Sequence, residues 1–140
     1  ALTGWVRAHL VESFVVPSAS MAPTIEPGDM MFVDKRYNCP GCKHALRRGD
    51  IVIFTDPNDR TRYYVKRLAG LPGDRVQGAD APVVVPPGHV WLLGDNTAHS
   101  IDSRAFGMVP LADVVGRARQ VWFSRGDGRI RWERLGLALD

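Results

Sequence analysis

Apolar positions in this chain come in short runs, each cut by Gly, Pro, Asp or Asn. Ile51-Val52-Ile53-Phe54 is unbroken and of strand length, which predicts a strand buried on both faces or set in a barrel wall, and Asp56-Pro57-Asn58-Asp59 turns the chain after it. Tyr63 to Gly70 is the expected hairpin partner. Period-two alternation places Tyr64, Lys66 and Leu68 on one face of that strand and Val65 and Arg67 on the other, so Lys66 has apolar neighbours. Upstream, Ser13 to Thr24 reads as strand, tight turn and strand around Pro17 and Pro23, followed by a turn at Glu26-Pro27-Gly28-Asp29 and a strand over Met30 to Lys35. Downstream, Val83 to Val85 and His89 to Leu93 read as two strands around Pro86-Pro87-Gly88, and Thr97 to Pro110 as a polar loop. Leu111 to Phe123 reads as a long strand or bent strand pair, and Arg129 to Trp132 finishes the sheet. No helix longer than a few turns is expected. The fold class is mostly β, antiparallel, a partly open barrel with little helix.

Composition agrees with that pattern. A chain of 140 residues with 45% apolar residues, 14 Gly and 10 Pro suits one turn-rich globular domain, 1–140, with a core of its own. The net charge of +3 comes without a basic run interleaved with aromatics, so nucleic acid is not an expected partner; weak attraction to an anionic lipid surface fits it. No run reaches the roughly 20 apolar residues of a membrane-spanning helix. The amphipathic start, Ala1 to Glu12, leads straight into the Ser/Pro stretch without an initial Met, from which an upstream membrane anchor is expected.

Cys39-Pro40-Gly41-Cys42 is a small insertion whose spacing allows a local disulfide, two free thiols, half of a zinc site with His44, or a redox pair. With no second cysteine pair and no βαβ pattern around it, zinc and thioredoxin-like chemistry rank below the first two.

The chemistry concentrates at Pro17-Ser18-Ala19-Ser20-Met21. Two hydroxyls two residues apart on a rigid turn suit acyl transfer, one attacking and the other donating to the reacting oxygen. The attacking serine needs a base, and the candidates are Lys66 and the four histidines. A lysine serves only if desolvation leaves its amine neutral near neutral pH, which apolar neighbours promote.

Three blocks then match a known pattern: Pro17 to Thr24; Tyr64 to Asp74; and Gly94-Asp95-Asn96 with Ser100-Ile101-Asp102-Ser103-Arg104-Ala105-Phe106-Gly107. Together with Gly49 to Phe54 and Arg131 to Gly136, and in this order, they resemble the boxes of bacterial type I signal peptidases. The third block makes the likeness specific, because Ser-Met-x-Pro is shared with self-cleaving repressors. The resemblance implies Ser20 as nucleophile and Lys66 as general base. It implies an oxyanion hole of the Ser20 N–H and the Ser18 hydroxyl, Ser100 orienting the Lys66 amine, and Asp102 and Arg104 paired to hold that loop. It further implies that Phe14, Val16, Met21, Ile25, Tyr64 and Val65 line the sites for the residues one and three before the cut, favouring Ala-x-Ala, with the substrate added as a strand beside residues 14–17 and the Lys66 strand.

The activity so implied is removal of signal peptides from preproteins at the outer face of the cytoplasmic membrane, by a monomer needing neither metal nor organic cofactor. Trp5, Trp122 and Phe123 are candidates for dipping into lipid. The rivals are a pilin-maturing relative with the same Ser-Lys pair, a self-cleaving repressor domain, a Ser20-His99-Asp102 triad, and a binding module built on the cysteine loop. The short span from Asp74 to Pro86 implies that the extra β domain of some relatives is absent.

Overall fold

The structure is a computed structural model, and it describes residues 11–15, 19–35, 45–56, 58–78, 80–96, 98, 100–126 and 128–139. The cysteine insertion, Trp5, Val16, Ser18, His44 and His99 lie outside the described residues.

Among the described residues ten strands are formed: β1 (Val11–Val15), β2 (Asp29–Asp34), β3 (Ile51–Thr55), β4 (Tyr63–Gly70), β5 (Arg75–Gln77), β6 (Pro82–Val84), β7 (His89–Leu93), β8 (Val109–Pro110), β9 (Val114–Gly126) and β10 (Arg129–Ile130). Seven follow one another in a curled antiparallel sheet in the order β1-β2-β9-β3-β4-β7-β8, with β10 added to β9; β5 and β6 make a separate hairpin. Among the described residues one short helix, α1 (Ser103–Phe106), interrupts the strands, and Leu111–Asp113 and Trp132–Arg134 are single 3-10 turns.

The unbroken apolar run at β3 has a physical cause. Its two faces belong to two cores: Ile51 and Ile53 pack with Met21, Ile25, Met31, Val33, Val65, Ala118, Val121 and Leu139, whereas Val52 and Phe54 pack with Leu68, Leu92, Val90, Val109 and Val114. A strand buried on both sides has no polar alternation to show. On β4 the alternation follows expectation: Val65 joins the first core, while Tyr64 and Leu68 pack with the second. Lys66 stands opposite Val52 in the register, on that second face.

The sheet leaves a seam. Strand β4 pairs with β7 only over Arg67 to Gly70, and β1 pairs with β2 alone, so among the described residues no strand adds to the outer edge of β1 or to the first half of β4 on its β7 side. The curl brings these edges together: the Phe14 and Tyr63 rings meet edge-to-face, centroids 5.5 Å apart.

Several expectations are corrected. After the serine turn the chain makes further turns to Gly28 rather than a second strand at Met21 to Thr24. The strand following Pro110 begins only at Val114, because Leu111–Asp113 turns as a 3-10 unit first, and it runs on to Gly126. Trp132 leaves the sheet in a 3-10 turn. The polar loop contains α1, capped at its start by the Asp102 carboxylate. Local pattern missed this helix because four residues show no helical period.

Candidate active site

Ser20 sits in the turn after β1, where Ala22 N–H donates to the Ala19 carbonyl and Ile25 N–H to the Met21 carbonyl. The segment following β7 grips this turn from outside. Asn96 N–H donates to the Ser20 carbonyl at 2.9 Å, and its side-chain amide to the Ala19 carbonyl at 3.0 Å. Asp95 N–H points at the Met21 sulfur, 3.4 Å away. Such close approach needs a residue without a side chain at 94: a Cβ on Gly94 would overlap the Ser100 side chain and stand 2.7 Å from the Ser20 carbonyl oxygen.

Both Ser20 and Lys66 are nearly withdrawn from solvent, at 7% and 4% exposure. They line one cleft of about 490 Å³. Burial pushes the Lys66 amine below its ordinary 10.5; the Asp102 carboxylate opposes that shift and the Arg104 guanidinium adds to it. A neutral amine in the same cleft as a hydroxyl is an arrangement able to accept the hydroxyl proton.

Asp102 is the polar hub behind this pair. Its Oδ2 accepts from Gly94 N–H at 3.0 Å, the Ser100 hydroxyl at 3.0 Å and Arg104 Nη2 at 2.9 Å. Its Oδ1 accepts from Arg104 Nε at 2.8 Å and Arg104 N–H at 3.2 Å. Burial alone would raise this carboxyl; the hydrogen bonds from Arg104, Gly94 and Ser100 outweigh it and hold the group below 3.8. A carboxylate offers about four acceptor sites, and among the described residues Asp102 spends them on Arg104, Gly94 and Ser100. Asp102 and Arg104 are ion-paired at 2.8 Å. The Ser100 hydroxyl donates to Asp102, placing it between that hub and the Ser20 turn.

The implied subsite residues separate. Tyr64 lines the cleft with Ser20 and Lys66. Met21 and Ile25, both 0% exposed, and Val65 are members of the first core, with Phe14 packed against them. They therefore form a floor beneath the seam rather than an open wall. Val16 and Ser18 lie outside the described residues.

Sequence reasoning assigned no role to Arg67, Asp95, Thr24 or Ser103. Arg67 forms a two-pronged ion pair with Asp95, which also accepts from the Thr24 hydroxyl at 2.6 Å. The Ser103 hydroxyl accepts from Leu92 N–H at 2.9 Å, pinning α1 to β7. The hint in the sequence was that Arg67, Asp95 and Ser103 directly follow Lys66, Gly94 and Asp102, and that Thr24 closes the serine block. Among the described residues no cluster of three or more His, Cys, Asp or Glu is placed to hold a metal ion, and no helix is long and apolar enough to cross a membrane.

Comparison with known proteins agrees with the geometry. The family model described as signal peptidase, peptidase S26, matches residues 1–85 and 78–123. The chain is 32% identical over 123 residues to mitochondrial inner membrane protease subunit 1 of Schizosaccharomyces pombe, covering 84% of this chain and 77% of that protein. It is 34% identical to signal peptidase I of Bacillus licheniformis, covering 84% and 80%. It is 35% identical to the mitochondrial ATP-independent inner membrane protease subunit 1a of Arabidopsis thaliana, covering 88% and 77%. A buried serine and a buried lysine in one cleft, on a chain so matched over most of its length, lead to one conclusion: the chain belongs to the signal peptidase family, peptidase S26, and is a serine peptidase of the kind that cleaves signal peptides.

Proposed function

We propose that this domain removes signal peptides from exported preproteins at the outer face of a cytoplasmic membrane, cutting after Ala-x-Ala with Ser20 and Lys66. The observation that carries the proposal is the burial of Lys66, which favours its neutral amine, in the cleft that Ser20 lines.

In this reading the Ser20 hydroxyl adds to the scissile carbonyl as its proton passes to Lys66 Nζ. The C–N bond then breaks, the amine leaves with that proton, and the signal peptide remains as an ester on Ser20. Water, deprotonated by Lys66, hydrolyses the ester. The oxyanion is held by Ser20 N–H and the Ser18 hydroxyl, and loss of one such donor costs about 100- to 1000-fold in rate. The substrate enters as an extended strand in the seam between β1 and the first half of β4, to whose edges no strand of the described residues adds. Small residues one and three before the cut then face the floor of Phe14, Met21, Ile25 and Val65, where a larger side chain finds no room.

Contact with lipid falls to the outer face of the β1-β2-β9 corner. Phe32 and Trp122 stack there at 5.8 Å, Phe123 adjoins Trp122 at 5.9 Å, and Val15 is exposed beside Met30. Membrane association is in the names of the mitochondrial inner membrane relatives; the side faced and the monomeric state are part of the proposal. Incubating the purified domain with a preprotein carrying Ala-x-Ala should release the signal peptide, with Ser20→Ala and Lys66→Ala inactive and His99→Ala active. Cleavage surviving Ser20→Ala would end the proposal.

A further inference from the structure

Asn96 holds both peptide groups that flank the Ser20 Cα. Its backbone N–H donates to the Ser20 carbonyl at 2.9 Å, and its side-chain amide donates to the Ala19 carbonyl at 3.0 Å. A carbonyl only accepts, so the NH2 end of the amide is the end that faces Ala19. Asn96 is itself well anchored: Asp95 before it is paired with Arg67, the residue after Lys66, and Gly94 N–H donates to Asp102. One residue, tied to the lysine strand, thereby sets the two planes between which Ser20 hangs.

Resting on the proposed function, we infer that Asn96 is a positioning residue for the oxyanion hole, acting through the Ala19–Ser20 peptide. That peptide carries the Ala19 carbonyl on one edge and the Ser20 N–H on the other. A trans peptide is planar and its C=O and N–H point in opposite directions, so a hydrogen bond that fixes the carbonyl also fixes the direction of the N–H. The same bond polarises the peptide and makes the N–H a stronger donor. The Ala19 carbonyl accepts from Ala22 N–H as well, at 3.1 Å, but that bond lies within the turn and moves with it. The Asn96 amide comes from outside the turn and holds it against the rest of the site. A donor set in advance lowers the barrier because nothing reorients as charge gathers on the reacting oxygen.

The test uses the 140-residue chain, a peptide with Ala-x-Ala before the cut, and two variants. Asn96→Ala removes the amide and keeps the backbone bond to Ser20, whereas Asn96→Asp keeps the size of the side chain and removes its donor. In both, kcat should fall about 10- to 100-fold, short of the outright loss of an oxyanion donor, with KM within about twofold. The ascending limb of kcat/KM against pH should stay in place in Asn96→Ala, because the burial and the charges that act on Lys66 are untouched. A peptide boronic acid gives a second readout: Ser20 Oγ bonds to boron, its proton passes to Lys66, and the tetrahedral boronate carries an oxygen where the oxyanion forms. Its inhibition constant should rise by the factor by which kcat/KM falls. Wild-type kcat in Asn96→Asp would overturn the inference by showing that the side chain only fills space. A loss carried by KM, boronate binding at full strength, or a shifted pH limb would overturn it as well. Failure of the wild-type chain to cut the peptide would instead remove the proposed function on which the inference rests.

Discussion

Arg67 holds Asp95 in a two-pronged ion pair, Nε to Oδ1 and Nη2 to Oδ2, each 2.8 Å. Arg67 follows Lys66, and the Thr24 hydroxyl that Asp95 also accepts stands four residues after Ser20. One carboxylate thus ties the serine turn to the lysine strand. A lysine at 67 keeps the charge and loses the fork. Arg67→Lys should cost about 1–3 kcal/mol in stability, as loss of charge-assisted bonds does. Its kcat should fall more than its KM changes; equal kcat in steady-state assays would deny Asp95 this positioning role.

The pH dependence follows from Lys66. Its pKa lies below the ordinary 10.5, and the base is the neutral form, so activity should rise as pH climbs through the lowered value. Arg104 pushes that pKa down, so Arg104→Gln should shift the ascending limb of kcat/KM to higher pH. A limb that stays put would show that the guanidinium does not act on the amine.

Burying an amine costs stability that an apolar side chain would not. The unfolded chain binds the Lys66 proton up to 10.5 and the folded chain releases it earlier, so between the two values stability increases with pH. Lys66→Met should therefore raise Tm while cleavage drops by roughly 100- to 10,000-fold. Thermal melts at neutral pH decide this; a lower Tm would mean that the amine contributes to folding.

Gly94→Ala tests the closeness of the serine turn to the Asp102 hub. The added methyl would overlap Ser100 and crowd the Ser20 carbonyl, and overpacking of this kind costs about 1–3 kcal/mol. Displacing the nucleophile by about 1 Å can cost about 100-fold in rate. A folded Gly94→Ala protein with full kcat would show that the turn tolerates movement.

Asp29 carries the other end of the same turn. It is wholly buried, accepts from Arg134, from the Ser124 hydroxyl and from Glu26 N–H, and Arg134 also donates to the Thr24 carbonyl at 2.9 Å. Burial raises its pKa, but the hydrogen bonds from Arg134 and Ser124 bring it below 3.8. Its stabilisation is therefore complete above 3.8 and is lost as pH falls through the lower folded value. Arg134→Leu removes the guanidinium that donates to both carboxylate oxygens and leaves the more distant Arg131, 3.8 Å away, as the cation beside Asp29; it should cost about 3–5 kcal/mol in urea unfolding at neutral pH.

Much of this molecule was legible before folding because its signals are local. The β3 run, the alternation of β4 around Lys66 and the turn at Asp56 to Asp59 depend on neighbours in sequence, and they determined the strands and the face that Lys66 shares with Tyr64. Block order was equally readable, and with it the resemblance that implies roles for Ser20, Lys66, Asp102 and Arg104. What only the tertiary structure decided is distance across the sheet. Arg67 to Asp95, Arg134 to Asp29, and Gly94 against Ser20 join residues 28, 105 and 74 positions apart, and no local preference encodes such contacts. The two cores were likewise invisible, since an apolar residue carries no mark of which side of a sheet it will fill. That is why Met21 and Ile25 are found in the floor beneath the seam, and why the serine turn and the lysine strand became one site only when the sheet curled.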